Sequence, residues 1–263
     1  MKLLNLENFS ISYNGTDLAV DQVSLTMNRG EILTIVGESG SGKSTLLHGL
    51  QGLFPREGSW SGKAELMGED LSSLSSGELR ALRGEKVAMI FQDTGRYMNP
   101  TRKIGTQFTS FLRLHRRMSR AQALALEEEM LKKVHLLDTR RVLNSYPFEL
   151  SGGMRQRVGI AMAISLAPEL LLADEPTSAL DVTVQAQVVE ELMNLRKTEN
   201  ASIILVTHNM GVAAHISDRI GVMHHGKLVE IGTTDEVLHH PKTEYTKSLL
   251  NSMIPLDGPR MEA

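Results

Sequence analysis

The chain has 263 residues, of which 41% are hydrophobic and 22% charged, and its formal net charge is −3. That length favours one large α/β unit with an inserted or appended subdomain. The charge balance gives no sign of a nucleic-acid-binding surface, and the absence of cysteine excludes a disulfide framework, a thiolate zinc site and an iron–sulfur cluster. No apolar run is long enough to span a bilayer and residues 1–8 lack a signal-peptide core, so the sequence predicts a cytoplasmic chain that would need a partner to work at a membrane.

The N-terminal segment alternates apolar and polar residues. Two such runs, 9–13 and 23–27, are separated by the turn signal Asn14-Gly15 and predict an antiparallel pair of strands. Tyr13 is expected at the end of the first strand, where its ring could stack on an adenine base. The alternative is an ordinary half-buried strand aromatic.

A glycine-rich stretch follows the apolar strand candidate 31–36. It has the spacing G-x-x-x-x-G-K-S and leads into the helical run 46–50, which is the context of a phosphate-binding P-loop. Glycines let several backbone N–H groups turn toward one phosphate, Lys43 can reach the terminal phosphates, and the Ser44 hydroxyl can bind Mg²⁺. The predicted nucleotide-binding residues of this stretch are Gly37, Ser39, Gly40, Ser41, Gly42, Lys43, Ser44 and Thr45.

Three short elements are predicted after this helix. Residues 62–67 are typical of a strand, and residues 78–83 look helical. The apolar run 86–91 predicts a further strand, which ends at Gln92.

The composition changes after Gln92. Residues 93–100 look loop-like, whereas residues 102–137 repeat apolar side chains at helical spacing and predict an all-helical insert. A basic cluster within it is expected to be a solvated helix face, with docking on another protein as the alternative. This cluster comprises Arg113, Arg116, Arg117 and Arg120.

A second anion site is predicted where a new helix begins. Ser151 is a natural N-cap, and Gly152 and Gly153 leave backbone donors uncovered at the positive end of a helix that runs to Ile164. A Ser-Gly-Gly sequence at a helix start is more often a plain cap. The P-loop in the same chain favours the anion-binding interpretation.

Two adjacent carboxylates follow a strongly apolar run. Residues 169–173 are typical of a fully buried strand, which delivers Asp174 and Glu175 at its end. There, Asp174 can hold Mg²⁺ and Glu175 can polarise an attacking water. The alternative, a solvated acidic turn, does not fit the apolar residues that precede it.

A histidine ends the next strand. A helix is expected over 182–197, followed by a buried strand over 201–207 that ends at His208. In an open α/β sheet this histidine shares an edge with Lys43 and Glu175, where it could contact a terminal phosphate or its attacking water. A structural histidine is the alternative.

The C-terminal part is predicted to be a hairpin followed by two helices. The hairpin pairs residues 219–223 with 227–231, and the helices cover 235–239 and 244–252. Residues 254–263 look like a loose tail.

Two pairs of adjacent histidines occur near this hairpin, at His224-His225 and His239-His240. Adjacent side chains point to opposite faces of a strand and diverge on a helix. We therefore expect that neither pair chelates a metal.

The chain resembles the ATPase subunits of ABC transporters over essentially its whole length. The resemblance rests on the order and spacing of its motifs together, since a P-loop alone could also belong to a kinase or a GTPase. These motifs are the loop 37–45, Gln92, residues 150–153, 171–176 and 178–181, and His208.

Three stretches are similar, more narrowly, to the peptide/nickel importer branch of that family. They are residues 91–100, 145–157 and 240–250. The chain departs from the usual pattern of the branch without losing a catalytic group. The departures are Thr94 in place of Pro, Met98 in place of Leu and Asn209 in place of Asp.

The resemblance implies the fold and its division. It implies an α/β P-loop ABC ATPase core with a mixed sheet, an N-terminal antiparallel β subdomain and an inserted helical signature subdomain. The nucleotide-binding core, including the β subdomain, would take residues 1–92 and 166–240. The helical signature subdomain would take 93–165, and a C-terminal helix and tail would take 241–263.

The resemblance also implies the function. The chain would be an ATP- and Mg²⁺-dependent ATPase that energises uptake of a peptide, nickel or a metal chelate. Its partners would be two membrane permease subunits, a second ATPase subunit paired head to tail, and an extracytoplasmic solute-binding protein, with no nucleic acid. It would lie peripherally on the cytoplasmic face of the cell (inner) membrane. The alternatives are an ABC ATPase that acts on ribosomes or DNA, and a nucleotide-gated clamp with negligible hydrolysis.

Within one subunit, the resemblance assigns roles to the P-loop side of the site. Tyr13 would stack on adenine, while Lys43 and the loop amides would hold the phosphates. Ser44, Gln92 and Asp174 would arrange Mg²⁺.

The remaining roles concern hydrolysis and pairing. Glu175 would act as the general base or water-positioning group, with His208 beside it. The partner subunit's signature motif, equivalent to Ser151, Gly152 and Gly153 here, would close over the γ-phosphate. Asp181 would couple the two sites across the dimer.

Overall fold

Six strands form the central sheet of the computed structural model, which describes residues 2–54, 58–178 and 180–253. They are β3 (Ile32–Val36), β6 (Val87–Ile90), β7 (Leu170–Asp174), β8 (Ser202–Val206), β9 (Arg219–His224) and β10 (Lys227–Thr233). Their order is β10-β9-β3-β8-β7-β6. All neighbours are parallel except β9 and β10, which form the predicted antiparallel hairpin.

The three central strands are buried along their whole length. Every residue of β3, β7 and β8 is buried, as expected for parallel strands that are covered on both faces. Ile35 and Asp174 both pair with Val206. The carboxyl ends of the three strands therefore lie at one edge of the sheet.

A second, antiparallel sheet lies in the N-terminal part. Its strands are β1 (Lys2–Ser12), β2 (Leu18–Asn28), β4 (Ser59–Leu66) and β5 (Glu69–Asp70), in the order β2-β1-β4-β5. The predicted strand pair is confirmed, although Tyr13 lies one residue beyond the end of β1. The mixed sheet together with this antiparallel sheet confirms the predicted fold class.

Helix α1 (Lys43–Leu50) packs into the core that the two sheets share. Its Leu46 and Leu47 are buried together with Phe9 of the antiparallel sheet and Leu33 of the central sheet. Phe9 and Ile11 pack closely on Gly49, where an added Cβ would lie 2.5 Å from the Ile11 side chain. The antiparallel sheet thus fixes the helix that follows the P-loop.

The insert is helical, as predicted. It contains α3 (Ile104–His115), α4 (Arg120–Lys133), α5 (Thr139–Asn144) and α6 (Gly152–Ile164), and we call these helices the helical group. Helices α3, α4 and α6 contribute Phe108, Leu131 and Ile160 to a core that includes Leu171 of the central sheet. Helix α5 was not predicted, because six residues are too few for a clear helical period.

Two details of this region add to the predictions. Residues 94–97 of the predicted loop form a 3-10 turn. Arg116, predicted on a solvated face, donates to the carbonyl oxygen of Leu166 at 2.8 Å and lies 3.5 Å from a carboxylate oxygen of Glu85. Arg116 is exposed like Arg113, Arg117 and Arg120, as predicted, but it also links the helical group to the core.

Five more helices surround the sheets. They are α2 (Ser76–Glu85), α7 (Val182–Glu199), α8 (Met210–Ile216), α9 (Thr234–His239) and α10 (Glu244–Met253). No helix within the described parts of the chain has the length and hydropathy needed to cross a bilayer. The predicted tail 254–263 lies outside the described residues.

The expectation that adjacent histidines diverge is wrong for His224 and His225. Their ring centroids lie 4.0 Å apart. Strand alternation does not apply because His225 has left the strand and adopts a left-handed backbone with a φ of 45°. His239 instead pairs with Asp235, 2.9 Å away on α9.

Candidate functional site

The predicted site residues follow three neighbouring strands. The P-loop follows β3, Glu175 follows β7, and His208 follows β8 after one intervening residue. These strands are parallel and adjacent, in the order β3-β8-β7. Their loops therefore meet at the carboxyl edge of the sheet, where open α/β folds bind ligands.

Two glycines of the P-loop are required by geometry. Gly37 has a φ of 148° and Gly42 a φ of 98°, both in the region that side chains disfavour. A Cβ at Gly37 would lie 2.1 Å from the Met223 carbonyl oxygen, and one at Gly42 would lie 2.1 Å from that of Ala19. Gly42 precedes α1 and has no side chain to cap it, so the first amides of the helix face the loop.

The Lys43 side chain turns into the loop. It is 7% exposed, and its ammonium donates to the carbonyl oxygens of Gly37 at 2.9 Å and Glu38 at 2.7 Å, and to the Ser41 hydroxyl at 3.2 Å. Burial lowers the pKa of Lys43, and the nearby carboxylates, that of Glu175 above all, oppose the shift. A phosphate in the loop would stabilise the buried charge.

A cavity of about 390 Å³ opens in front of this loop. It brings most of the predicted P-loop side of the site together around one space. Its lining residues are Tyr13, Ala19, Ser39, Gly40, Ser41, Gly42, Lys43, Ser44, Thr45, Gln92 and Glu175. Its size and its loop donors suit a nucleotide.

Glu175 projects a carboxylate into this cavity. One oxygen, Oε2, accepts a hydrogen bond from Gln92 Nε2 at 3.0 Å and lies 3.3 Å from His208 Nδ1. The backbone of Glu175 is left-handed, with a φ of 44°, and its amide donates to the Val206 carbonyl oxygen at 2.9 Å. A non-glycine residue in this conformation is uncommon, so the contacts around Glu175 must hold its backbone in place.

Asp174 lies at the buried end of β7. It is 8% exposed, and burial raises the pKa of its carboxyl, while a hydrogen bond with the Ser44 side chain opposes the shift. The Ser44 hydroxyl and the Asp174 carboxylate therefore lie side by side, and the charge of the carboxylate is only partly compensated. Oxygen donors of this kind fit the preference of Mg²⁺.

Tyr13 lies beside the loop. Its hydroxyl is 3.0 Å from the Thr45 hydroxyl, and its side chain is 51% exposed. The exposed ring borders the cavity, where a base could lie against it.

The second predicted anion site lies on a different part of the surface. Ser151 caps α6 by accepting from the Met154 amide at 3.3 Å, and Asp181 caps α7 by accepting from the Val184 amide at 3.0 Å. Over the described residues, the lining of the P-loop cavity includes neither of them. One chain thus presents the two predicted phosphate-binding surfaces apart from each other.

Gln156 connects these surfaces, although it was not among the site residues predicted from the sequence. Gln156 is only 3% exposed. Its amide nitrogen donates to the carbonyl oxygens of Phe91 at 2.9 Å and Pro176 at 3.1 Å. Its amide oxygen accepts from the Thr94 amide at 3.3 Å and the Thr94 hydroxyl at 2.9 Å. The sequence signal that could have marked Gln156 is a single amide side chain among the apolar residues on the buried face of α6.

The Thr94 bonds explain one departure from the importer branch. A proline at this position could supply neither the amide nor the hydroxyl donor. Thr94 also fits closely against α6, since a Cβ at Gly159 would lie 2.1 Å from its methyl group.

A second cavity, of about 380 Å³, lies between the central sheet and the helical group. We call it the helical-group groove. At its mouth, the exposed ring of Tyr97 stacks on Phe91 with centroids 4.0 Å apart. Its wall is mainly apolar and includes Leu53, Met89, Met98, Phe111 and Met162.

The architecture is that of a P-loop nucleotide-binding protein, and comparison with known proteins specifies its family. The sequence pattern of the family described as "ABC transporter" matches residues 20–178. The chain is 43% identical to the oligopeptide transport ATP-binding protein OppD of Bacillus subtilis, over 98% of this chain and 73% of that protein. It is 42% identical to the dipeptide transport ATP-binding protein DppD of the same organism, over 97% of this chain and 78% of that protein.

Solved structures agree with this result. The dimeric bacterial ABC transporter cassette MJ0796 superposes with a TM-score of 0.80 at 29% identity, over 88% of this chain and 99% of that chain. A post-hydrolysis dimer of the same cassette, bound to ADP and Pi, gives a TM-score of 0.77 over the same shares. The chain therefore belongs to the ABC transporter family, and it is a nucleotide-binding ATPase subunit of that family.

Proposed function

We propose that this chain is the ATP-hydrolysing subunit of a peptide importer. The observation that carries the proposal is the convergence of the P-loop, Gln92 and Glu175 on one cavity with His208 at its edge. The relatives are named for oligopeptide and dipeptide transport, and one of them, GsiA of Salmonella choleraesuis, for glutathione import. Peptide-like solutes are therefore the first class to test, and nickel stays a prediction from the sequence.

The nucleotide occupies the cavity with its phosphates on the loop. The amides of residues 39–45 and the Lys43 ammonium hold the phosphates, and the adenine lies against Tyr13. Lys43 exchanges its bonds to the Gly37 and Glu38 carbonyl oxygens for bonds to phosphate oxygens. This exchange favours nucleotide because the charge of the buried ammonium is then compensated by an anion.

Mg²⁺ fits beside the loop, where Ser44, Gln92 and Asp174 would hold it. The raised pKa of Asp174 reflects a charge that burial disfavours, and a cation would relieve that cost. When bound, the metal neutralises charge on the phosphates.

Glu175 acts on the attacking water. Its Oε2 is oriented by Gln92 and His208, so the carboxylate can accept a hydrogen bond or a proton from a water placed at the γ-phosphate. His208 positions this carboxylate and would lie near the γ-phosphate of a bound nucleotide.

A complete site needs a second ATPase subunit. Because Ser151, Gly152 and Gly153 lie apart from the loop cavity of their own chain, they would close over the nucleotide of a partner arranged head to tail, which can be an identical or a sister chain. Asp181 begins the helix beside this motif, where it can couple the two sites. The cassette MJ0796 has been solved as a dimer.

Two permease subunits complete the transporter. The helical-group groove next to Gln92 would receive a segment of a permease, so closure around nucleotide would be transmitted to the membrane. The chain would thus lie peripherally on the cytoplasmic face of the cell (inner) membrane, in a system that also includes a solute-binding protein. In this assignment, residues 1–92 and 166–240 form the nucleotide-binding core, 93–165 the signature subdomain and 241–263 the C-terminal part.

The test is recovery of the tagged chain from solubilised membranes with ATP and vanadate, followed by mass spectrometry. We expect two permeases and a second ATPase. The recovered complex, reconstituted in proteoliposomes with its binding protein, should then take up labelled di- or oligopeptides when ATP is supplied on the ATPase side. The Glu175→Gln complex is the matched control, since it should assemble without supporting uptake.

Recovery of ribosomal or DNA-associated proteins without permeases would contradict transport altogether. Uptake of nickel but not of peptides would retain the importer and overturn the proposed substrate class.

A further inference from the structure

The backbone of Glu38 joins the P-loop to the C-terminal helix. Its carbonyl oxygen accepts from Lys43 Nζ at 2.7 Å. Its amide donates to the hydroxyl oxygen of Tyr245, 3.3 Å away on α10 and 207 positions along the chain. The residue that holds the P-loop lysine is thus itself held by a side chain from outside the loop.

Tyr245 is supported by the hairpin of β9 and β10. Its ring stacks on His224, with centroids 3.8 Å apart and planes 19° from parallel. The preceding residue, Met223, places its carbonyl oxygen where a Cβ on Gly37 would lie. The same end of β9 therefore supports both the tyrosine and the first glycine of the P-loop.

Tyr245 is half-buried. Burial raises the pKa of Tyr245, although the hydrogen bond from the Glu38 backbone opposes the shift. Its hydroxyl is therefore neutral at neutral pH and can accept from the loop amide.

A buried carboxylate anchors the start of α10. Glu230, 8% exposed on β10, accepts from the Lys242 amide at 2.8 Å and from the Thr243 amide at 3.1 Å. Although burial alone would raise the pKa of Glu230, hydrogen bonds from Thr246 and from residues 242 and 243 hold it below its ordinary value. The carboxylate is therefore charged and fully engaged at neutral pH.

Packing fixes the rest of the helix. Leu249 and Leu250 are buried in one cluster with Val36, the last residue of the strand that leads into the P-loop. Helix α10 is thus attached to the sheet at the position where the loop begins.

We propose that Tyr245 is a positioning residue for nucleotide binding, through which α10 holds the backbone of Glu38 and hence the conformation of the P-loop that receives the phosphates. The catalytic groups Glu175 and His208 are not part of this path. Tyr245 therefore affects how tightly the loop holds ATP rather than the hydrolysis step.

The test is Tyr245→Phe in the full chain, which removes the hydroxyl and keeps the ring on His224. We expect the Kd for MgATP, measured by calorimetry, to rise roughly two- to tenfold, the range for one net hydrogen bond. The melting temperature of the nucleotide-free chain should fall by no more than about 4 °C, the shift expected when a chain of this size loses one hydrogen bond. In the assembled ATPase, KM for ATP should rise while kcat at saturating ATP stays the same.

Tyr146→Phe is the matched control, a hydroxyl deletion on a ring that stacks on Phe148 in the turn before α6. It should leave the Kd for ATP unchanged. An unaltered Kd in Tyr245→Phe, an equal rise in the control, or a fall in kcat alone would overturn the proposal.

Glu230→Gln tests the path through the helix. It weakens the anchor of α10 with Tyr245 intact, so it should raise the Kd for ATP by itself. On the Tyr245→Phe background it should raise the Kd no further, because both substitutions interrupt one path. Additive effects of the two substitutions would show that α10 does not act through Tyr245.

Discussion

At the residue scale, the Glu175 carboxylate combines a negative charge with a fixed position. Gln92 and His208 both approach its Oε2, and its backbone holds an uncommon left-handed conformation. An amide at this position keeps the shape of the side chain and removes the base.

Glu175→Gln should lower ATP hydrolysis by the assembled ATPase roughly 100-fold or more, the range for loss of a general base. ATP binding should persist, so a closed, ATP-bound dimer should accumulate. Phosphate release and size-exclusion chromatography with ATP measure the two effects. Normal turnover in this variant would remove Glu175 from the mechanism.

Asp174 illustrates how a site can oppose the stability of its own fold. Burial raises the pKa of its carboxyl in the folded chain above the ordinary value of an aspartate. Ionised Asp174 is therefore less favourable in the folded than in the unfolded state, and its charge lowers the free energy of unfolding at pH 7.

Asp174→Asn should accordingly raise the melting temperature of the nucleotide-free chain at pH 7 and abolish Mg²⁺-dependent hydrolysis. The stabilisation should shrink as the pH falls toward about 4, because the wild-type carboxyl then becomes neutral too. Thermal scans across this pH range check the sign. A lower melting temperature at pH 7 would mean that attraction to Lys43 outweighs the cost of burial.

At the scale of elements, the Gln156 amide joins three segments of chain. It bonds to Phe91 at the end of β6, to Thr94 in the 3-10 turn and to Pro176 after β7, all from its place on α6. The helical group and the carboxyl edge of the sheet thus share one buried polar side chain.

Gln156→Ala should lower the free energy of unfolding by about 2–4 kcal/mol, because several buried groups lose their partner. Thr94→Val, which loses the hydroxyl's contacts with Gln156 and the Phe91 carbonyl oxygen but keeps the amide bond, should cost about 1 kcal/mol. Gln187→Ala on α7 is the control and should change stability by less than about 0.5 kcal/mol. Denaturant titration measures all three, and equal stability of Gln156→Ala and the wild type would contradict the bridging role.

The elements could be predicted from the sequence where a local pattern of apolar residues indicates which residues are buried. The apolar runs predicted β3, β7 and β8, and the spacing of the glycine-rich stretch predicted the loop between β3 and α1. Chain order then predicted that Glu175 and His208 share an edge with that loop.

The missed features depend on contacts between distant residues. The Tyr245–Glu38 bond spans 207 positions and the Gln156–Phe91 bond spans 65. No periodicity in the sequence encodes such pairs, since they arise only when packed elements meet. Helix α5 and the 3-10 turn at 94–97 were missed for another reason, because both are shorter than two helical turns.

At the scale of the whole molecule, the P-loop cavity and the Ser151 motif lie on separate parts of the surface. On the proposed arrangement, the isolated chain should bind ATP without the motif, whereas hydrolysis should require the motif of a partner. A substitution in the motif should separate these two activities.

Ser151→Arg should leave the Kd of the isolated chain for ATP unchanged and reduce hydrolysis by the assembled complex at least roughly tenfold, since a bulky cation blocks closure over the partner's nucleotide. Ser75→Arg is the matched control, because it also removes a helix N-cap, on α2. That variant should lose a similar amount of stability, about 1 kcal/mol, with hydrolysis retained. A weakened Kd for ATP in Ser151→Arg would place the motif at its own chain's nucleotide.

The separation of the two surfaces also governs how a damaged copy behaves in a cell. In the proposed transporter, a Ser151→Arg chain would keep its P-loop and its helical-group groove, so it would still take a place there and would disable the nucleotide site of its neighbour. When co-expressed with the wild-type chain it should be dominant over it, and uptake should fall as its share rises. A chain that fails to fold is not incorporated into the transporter, so a substitution that prevents folding should be recessive.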